Sequence, residues 1–538
     1  MKKPSSDKFI QIGVPLIVVL ALLVGILLGS HLHIRPRAKE SALGKVEELF
    51  SLIGSDYVDE VNLDSLLEET IPDLLGNLDP HTAYIPARDL EAVNSDLDGS
   101  FSGIGISFQV MNDTITVLEV ISGGPSEKVG LLPGDRIVEI NDTVVAGKKI
   151  DADEVKRKLR GPRDSKVELK IRRPGSDETN LYTITRGDIP VTSIDASYLI
   201  TPEIGYIKVN KFGRNTFTEF FTQMVMLRAN GARNFILDLR GNGGGFLDVA
   251  IRMANEFLSA GDGIVETRGR NGESLEAVVA DGSGTFKDAK VAVLLDEFSA
   301  SASEIVAGAL QDNDRATILG RRSFGKGLVQ QQRDLADGSA IRITTARYYT
   351  PSGRCIQKPF TKGQTDDYAL EIYDRYASGE VFNADSIKFD RSLLYHTKAG
   401  REVYGGGGIM PDIFVPADTA NITSYYTKVS NSGLLHRFAF NYVDANRRRL
   451  DQASSVDELL QLLPSDGQLL GDFTTFAAAN GVPTRWYYVN ISRPLLVNVL
   501  KALIARDVLG TAAFYEIDNT TDNVVNRAIR ELSEPQQQ

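Results

Sequence analysis

The sequence predicts an α/β protein with helical regions at both ends, and three observations carry that expectation. Residues 234–239 (NFILDL) and 290–295 (KVAVLL) are continuous apolar runs of strand length. Each leads through a glycine- or serine-rich loop into a helical pattern, over 246–258 and 304–310. Strands that are apolar on both faces and alternate with helices form parallel sheets covered on both sides. Residues 99–188 instead show short alternating strands broken by glycine turns, the texture of a separate, mainly β module. With 538 residues, 42% of them apolar, there is material for several domains with cores of their own.

In chain order, residues 9–29 contain one strongly polar side chain, Gln11. About 20 such residues at roughly 1.5 Å each span a hydrocarbon core of about 30 Å, so a transmembrane signal anchor is expected here. Residues 1–8, with Lys2, Lys3 and Lys8, would be its cytoplasmic tail, although Arg35, Arg37 and Lys39 beyond the segment work against that orientation. A cleaved signal peptide, set back by the lack of a clear small-residue cleavage site, and a buried helix are the other readings. Residues 39–97 are expected to be helical: Val46, Phe50 and Ile53, then Leu63, Leu66, Leu67, Ile71, Leu74 and Leu75, recur at helical spacing. A Leu78-Asp79-Pro80-His81 turn closes that region, and His81 is read as a turn residue. Residues 189–415 hold the α/β part. Residues 416–538 show helical patterns at 456–463, 494–508 and 524–532 and are read as a helical scaffold or dimerisation region.

Composition excludes several functions. With 59 Lys and Arg against 71 Asp and Glu the net charge is −12, which opposes nucleic acid or anionic surfaces as main partners. A single cysteine, Cys355, allows no internal disulfide, and the histidines at 31, 33, 81, 396 and 436 lack ligand spacing. No metal or other cofactor is expected. Two loops at the carboxyl ends of predicted strands stand out instead: Arg240-Gly241-Asn242-Gly243-Gly244-Gly245 and Ser299-Ala300-Ser301-Ala302-Ser303-Glu304. A serine hydroxyl needs a base, yet residues 189–390 contain no histidine. A lysine serves when burial lowers its pKa, and Lys326, between Gly325 and Gly327, suits that task. Ser299, Ser301 and Ser303 are all candidates for the nucleophile, and if it is Ser301 the next amide, that of Ala302 near a helix start, is a candidate oxyanion donor. The glycine loop lacks phosphate-binding spacing.

Between Gly103-Ile104-Gly105-Ile106 and Asn141, the run Leu132-Pro133-Gly134-Asp135-Arg136-Ile137 resembles a PDZ domain. That resemblance implies that Ile104, Gly105 and Ile106 hold the C-terminal end of a client chain. Four further collinear motifs, SASASEIVAGALQD, SFGKGLVQ, ARYYTPSGR and GGGIMPDI, resemble the C-terminal processing, or tail-specific, serine peptidases over residues 45–415. The resemblance implies a Clp protease/crotonase-like core, Ser301 as nucleophile, Lys326 as base and Gln330 as the residue orienting it, on the same helical face or one turn away. It also points to Gly245, less directly Gly244, as the second oxyanion donor. Arg160 resembles the position that signals PDZ occupancy to the core. Ser299 and Ser303 would then be structural, and Ser303 and Glu304 helix-start residues.

The implied activity is a serine endopeptidase acting at or near the C-termini of extracytoplasmic proteins. Its partners would be protein or peptide substrates with exposed C-termini, the membrane through the N-terminal helix, and a second copy of the chain or an adaptor protein. The implied location is the bacterial inner membrane, single-pass, with the catalytic domain on the periplasmic side. A catalytically silent tail-binding scaffold or chaperone is the alternative, set back by retention of all three polar site residues. Two stretches depart from the family pattern: a polar insertion at about 360–404, expected on the surface, and the C-terminal region.

Overall fold

The computed structural model describes residues 42–534 except 112, 122 and 174–177, gives the backbone alone at 96 and 97, and adds Val19, Ala21 and Val24. The expected cytoplasmic tail and nearly all of the expected anchor lie outside the described residues. Among the described residues no helix is long and apolar enough to cross a membrane.

Two compact units divide at Leu74 and Leu75. In the first, helix Ala42–Asp56 buries none of its side chains, and Leu43, Val46, Leu49 and Leu52 are exposed. The second holds everything from Leu75 onward.

At its centre is a six-stranded sheet in the order Ile194–Thr201, Ile204–Val209, Asn234–Asp238, Val291–Leu295, Thr317–Gly320, Ile413–Phe414. The first pair is antiparallel and the rest parallel. The period of two decides which residue faces which layer. Ile207, Val209, Leu237, Val293 and Ile318 pack with Phe220, Met224, Met253 and Val306 on helices Thr216–Ala229, Leu247–Asn255 and Ala302–Asp312. Their neighbours Tyr206, Ile236, Ala292, Leu294 and Leu319 face the other way and are covered by Val524, Val525, Ala528 and Leu532 of helix Asn523–Ser533. A face that the strand pattern requires to be buried is thus closed by helix Asn523–Ser533.

A second, five-stranded sheet runs Ala83–Ile85, Ala340–Tyr349, Gly263–Arg268, Ser274–Val279, with Leu328–Asp334 also paired to Ala340–Tyr349. The strand Ala83–Ile85 follows directly from the Asp79-Pro80-His81 turn and anchors it beside the core.

Residues 100–190 form the mainly β module expected from the PDZ-like motifs. Its sheet runs Ile106–Met111, Thr114–Val120, Arg136–Ile140, Lys166–Arg172, Thr179–Thr185, so Ile106–Met111 is an edge strand. Ile115, Val117, Ile137, Val155, Val167 and Leu169 fill its core. A separate ladder pairs Ser100–Gly103 with Gly187–Pro190, where the module enters and leaves.

From Ser424 to Asp518 seven helices pack around Phe438, Val443, Phe473, Leu496, Leu500 and Leu503. The 360–404 stretch is not merely superficial. It holds helix Thr365–Ala377, whose Tyr368 and Arg375 are buried.

Candidate active site

Strand Val291–Leu295 is buried throughout and turns sharply at Asp296. The Asp296 carboxylate accepts from the amides of Gly241 (2.9 Å), Phe298 (3.1 Å) and Ser299 (3.1 Å), which ties the serine corner to the glycine loop. Of the three alternating serines, two are occupied. Ser299 Oγ donates to Leu239 O (2.9 Å), and Ser303 Oγ donates to Asn242 O (2.9 Å); both are buried. Ser301 lines a cavity of about 580 Å³. Its backbone, at φ 56° and ψ −113°, lies in a region that a serine adopts only where its surroundings enforce it, at a cost of about 1–3 kcal/mol.

Glu304, three residues on, supplies part of that enforcement. Its carboxylate accepts from the Ser301 amide (2.8 Å), as in a capping box. The same carboxylate accepts from Ser323 Oγ (2.5 Å) and from the amides of Gly325 (2.7 Å) and Lys326 (2.9 Å). One buried side chain therefore joins the serine corner to the lysine loop. Burial pushes its pKa up to about 7 against the pull of those donors. Tyr348 joins the same two segments from the other side, its hydroxyl donating to Ser301 O (3.2 Å) and to Lys326 O.

Lys326 lines the same cavity as Ser301, half-buried. Its Nζ donates to Gln330 Oε1 (3.0 Å). Burial lowers its pKa below the ordinary lysine value, the Arg342 guanidinium adds to that, and the Glu304 and Asp79 carboxylates oppose it. The expectation that Gln330 shares a helical face with Lys326 is wrong. Lys326 sits in a loop and Gln330 on the strand Leu328–Asp334, where a side chain four residues on is reached because the loop bends before the strand begins. Gln330 Nε2 in turn donates to His81 O. The turn behind it is rigid: Asp79 accepts from the amides of His81 (2.9 Å) and Thr82 (2.9 Å), from Thr82 Oγ1 (2.6 Å) and from Thr344 Oγ1 (3.1 Å). Burial, and then Lys326, push the His81 pKa down to about 4, so the ring is neutral near pH 7.

The glycine loop faces the serine. A Cβ at Gly244 would stand 2.7 Å from Ser301 Cβ and 2.9 Å from Ala302 N, and at Gly245 2.1 Å from Phe212 O. Both have positive φ, 101° and 148°, so only glycine brings this backbone so close. The two are not equivalent as donors. The Gly244 amide is taken up by Asn242 Oδ1 (2.9 Å), which corrects its candidacy as an oxyanion donor.

In the PDZ module, Gly103, Ile104, Gly105, Ile106 and Phe108 line a separate cavity of about 400 Å³ with Leu159 and Arg160 at the end of helix Ala152–Leu159. The Arg160 guanidinium lies 4.3 Å from the Phe101 ring centroid, on the strand that links the module to the core.

The structure therefore brings Ser301, Ala302, Gly244, Gly245, Lys326 and Gln330 together and keeps Ile104, Gly105, Ile106 and Arg160 in a second groove. Glu304, Tyr348 and the Asp79–Thr82 turn were missed as site residues. The Ser301-x-x-Glu304 spacing carried a capping-box signal for the first; the others meet the site only through contacts distant in sequence.

Residues 203–370 match the family model "Peptidase family S41", residues 116–173 match "PDZ domain", and residues 425–510 match "Family of unknown function (DUF8443)". The "Probable CtpA-like serine protease" of Staphylococcus aureus strain N315 is 33% identical over 383 residues, 70% of this chain and 75% of that relative. The protein of that name from Staphylococcus epidermidis is 34% identical over 348 residues, 64% of this chain and 70% of its own length. Among solved structures, a photosystem II D1 C-terminal processing protease is 29% identical, covers 58% of this chain and 89% of its own, and has a TM-score of 0.33. The peptide-bound PDZ domain of a carboxy-terminal protease from Vibrio cholerae is 30% identical, covers 17% of this chain and 99% of its own, and has a TM-score of 0.16.

Proposed function

Because the chain belongs to peptidase family S41 and is a serine peptidase with a PDZ domain, we propose that Ser301 is its nucleophile and Lys326 its general base. Gln330 orients that base, and the amides of Ala302 and Gly245 form the oxyanion hole. The observation that carries this reading is the shared cavity in which Ser301 meets a half-buried lysine held by Gln330.

The neutral Lys326 amine takes the Ser301 proton as Oγ attacks the scissile carbonyl. The resulting oxyanion is met by two amides, each contributing about 3 kcal/mol to the transition state. The ammonium then protonates the departing amine, and water, activated by the same lysine, releases the acyl group from Ser301. Lys326 Nζ bonds Gln330 rather than Ser301 in this arrangement, and the contact to the serine tightens when substrate fills the cavity.

The tail of the substrate docks along the edge strand Ile106–Met111, its carboxylate at Ile104, Gly105 and Ile106. Arg160, stacked beside the linking strand, reports occupancy to the core. The apolar segment 9–29 anchors the chain in the bacterial inner membrane and places the peptidase on the periplasmic side, where it trims protein C-termini.

Ser301→Ala and Lys326→Ala, assayed on casein and on a peptide with a free apolar C-terminus, should each abolish cleavage while circular dichroism stays unchanged. Full activity in either variant overturns the assignment of roles. Amidation of the tail should weaken binding to the PDZ groove, and equal affinity for acid and amide would remove its role in recruitment.

A further inference from the structure

Helix Thr365–Ala377 lies in the 360–404 stretch, to which the catalytic reading assigns no task. Two of its polar side chains are nevertheless almost fully buried, Arg375 at 3% and Tyr368 at 6% exposed. Arg375 Nε donates to Glu371 Oε1 (2.8 Å) on its own helix. The rest of its guanidinium reaches three consecutive carbonyls: Nη1 donates to Arg322 O (3.3 Å) and Ser323 O (2.8 Å), and Nη2 to Phe324 O (3.1 Å). Those residues lead directly into Gly325-Lys326-Gly327.

The opposite side of the same loop is held by Glu304, which accepts from the amides of Gly325 and Lys326. The acceptors of this segment are thus gripped by a guanidinium and its donors by a carboxylate. A buried guanidinium is tolerated only when its donors are satisfied, and here three of them are satisfied by one short stretch of backbone.

Tyr368 extends the grip. Its hydroxyl shares a hydrogen bond with His81 Nε2 (2.9 Å), and the His81 carbonyl accepts from Gln330, the partner of Lys326. The Tyr368 hydroxyl also accepts from Gln357 Nε2 (3.2 Å), whose Oε1 accepts from the Gly327 amide (2.8 Å). Lys358 Nζ closes the network on Tyr368 O (3.0 Å) and Glu371 Oε2 (2.9 Å). One helix therefore fixes the residues before Lys326, the residue after it, and the turn that holds its partner.

We infer that helix Thr365–Ala377 is a positioning element for the general base, and that Arg375 and Tyr368 are positioning residues that hold the Lys326 amine against Gln330. The inference rests on Lys326 being the base. The charged and titratable groups facing Lys326 are Glu304 on the helix after Ser301, Arg342 on the neighbouring strand, and Asp79 and His81 in the N-terminal turn.

The test uses the full chain with Arg375→Lys, Tyr368→Phe and Lys326→Ala, measuring kcat and KM on a tailed peptide across pH, with thermal melting. Arg375→Lys keeps the charge but not the planar fork, so an electrostatic effect alone is retained. A loosened loop should lower kcat by about ten- to a hundredfold with KM nearly unchanged. The rising limb of kcat should move to higher pH, because a more hydrated amine holds its proton more tightly. Tyr368→Phe should do the same to a smaller degree, and it decides the matter if Arg375→Lys does not fold. Folded variants with wild-type kcat overturn the inference, as does a lowered kcat or melting temperature with an unmoved pH limb. Retained activity in Lys326→Ala would instead remove the base assignment itself, whatever the other variants do.

Discussion

Alanine at the three consecutive glycines Gly243, Gly244 and Gly245 should give three different outcomes. At Gly243 a Cβ meets nothing within 4 Å and φ is not positive, so Gly243→Ala should leave kcat within about twofold and stability within about 0.5 kcal/mol. At Gly244 the new Cβ lies 2.7 Å from Ser301 Cβ, 2.8 Å from Ala300 O and 2.9 Å from Ala302 N, where ordinary contact begins at 3.4 Å. The loop must back away from the serine by roughly 0.7 Å, and the φ of 101° adds about 1–2 kcal/mol of strain. That shift carries the proposed donor, the Gly245 amide, out of place, and losing one such donor costs about 3 kcal/mol, so kcat should fall by about a hundredfold with little change in KM. At Gly245 the Cβ would sit 2.1 Å from Phe212 O, which accepts from the Phe246 amide (2.8 Å). That bond has to break, and Gly245→Ala should lose about 3 kcal/mol of stability as well as activity. Steady-state cleavage of a tailed peptide, with urea denaturation of each variant, reads both effects. Equal damage at Gly243 and Gly244, or a Gly244→Ala enzyme within twofold of wild type, would refute the reasoning.

Replacing Gln330 with leucine keeps the volume but removes the acceptor of Lys326 and the donor to His81 O, so kcat should fall at least about tenfold while the melting temperature moves little. With Lys326 as the proposed base, its neutral amine is the reactive form, so log kcat should rise with pH until that group has lost its proton, at a pH below the ordinary lysine value of 10.5 because burial and Arg342 lower its pKa. Arg342→Gln removes one of those lowering influences and should shift the rising limb to higher pH; a shift to lower pH would contradict the geometry. Asp522 caps helix Asn523–Ser533 through the amides of Val524 (2.8 Å) and Val525 (2.9 Å) and pairs with Arg240 (2.7 Å) at the root of the glycine loop. Asp522→Ala should therefore cost about 2 kcal/mol or more by urea denaturation, and a loss under 0.5 kcal/mol would show that the helix is held by its apolar face alone.

The sequence by itself determined the features that rest on local pattern. Apolar strands leading into glycine and serine loops specify the parallel sheet and the end of it that carries chemistry, because period and turn residues are properties of short windows. The absence of histidine from residues 189–390 and the glycine-flanked Lys326 made a serine–lysine pair the reading to test. Tertiary structure decided the rest. Ser299 and Ser303 are set apart from Ser301 by the distant carbonyls that their hydroxyls reach, and Gly244 from Gly245 by the Asn242 side chain that occupies one amide. Gln330 meets Lys326 across a loop-to-strand bend that helical spacing misrepresents, and it leans on His81, 249 positions away. The second face of the central sheet is closed by a helix that begins at Asn523. Closing loops of such length adds little to their entropic cost, so the chain brings remote residues to a site without leaving a mark in its local pattern.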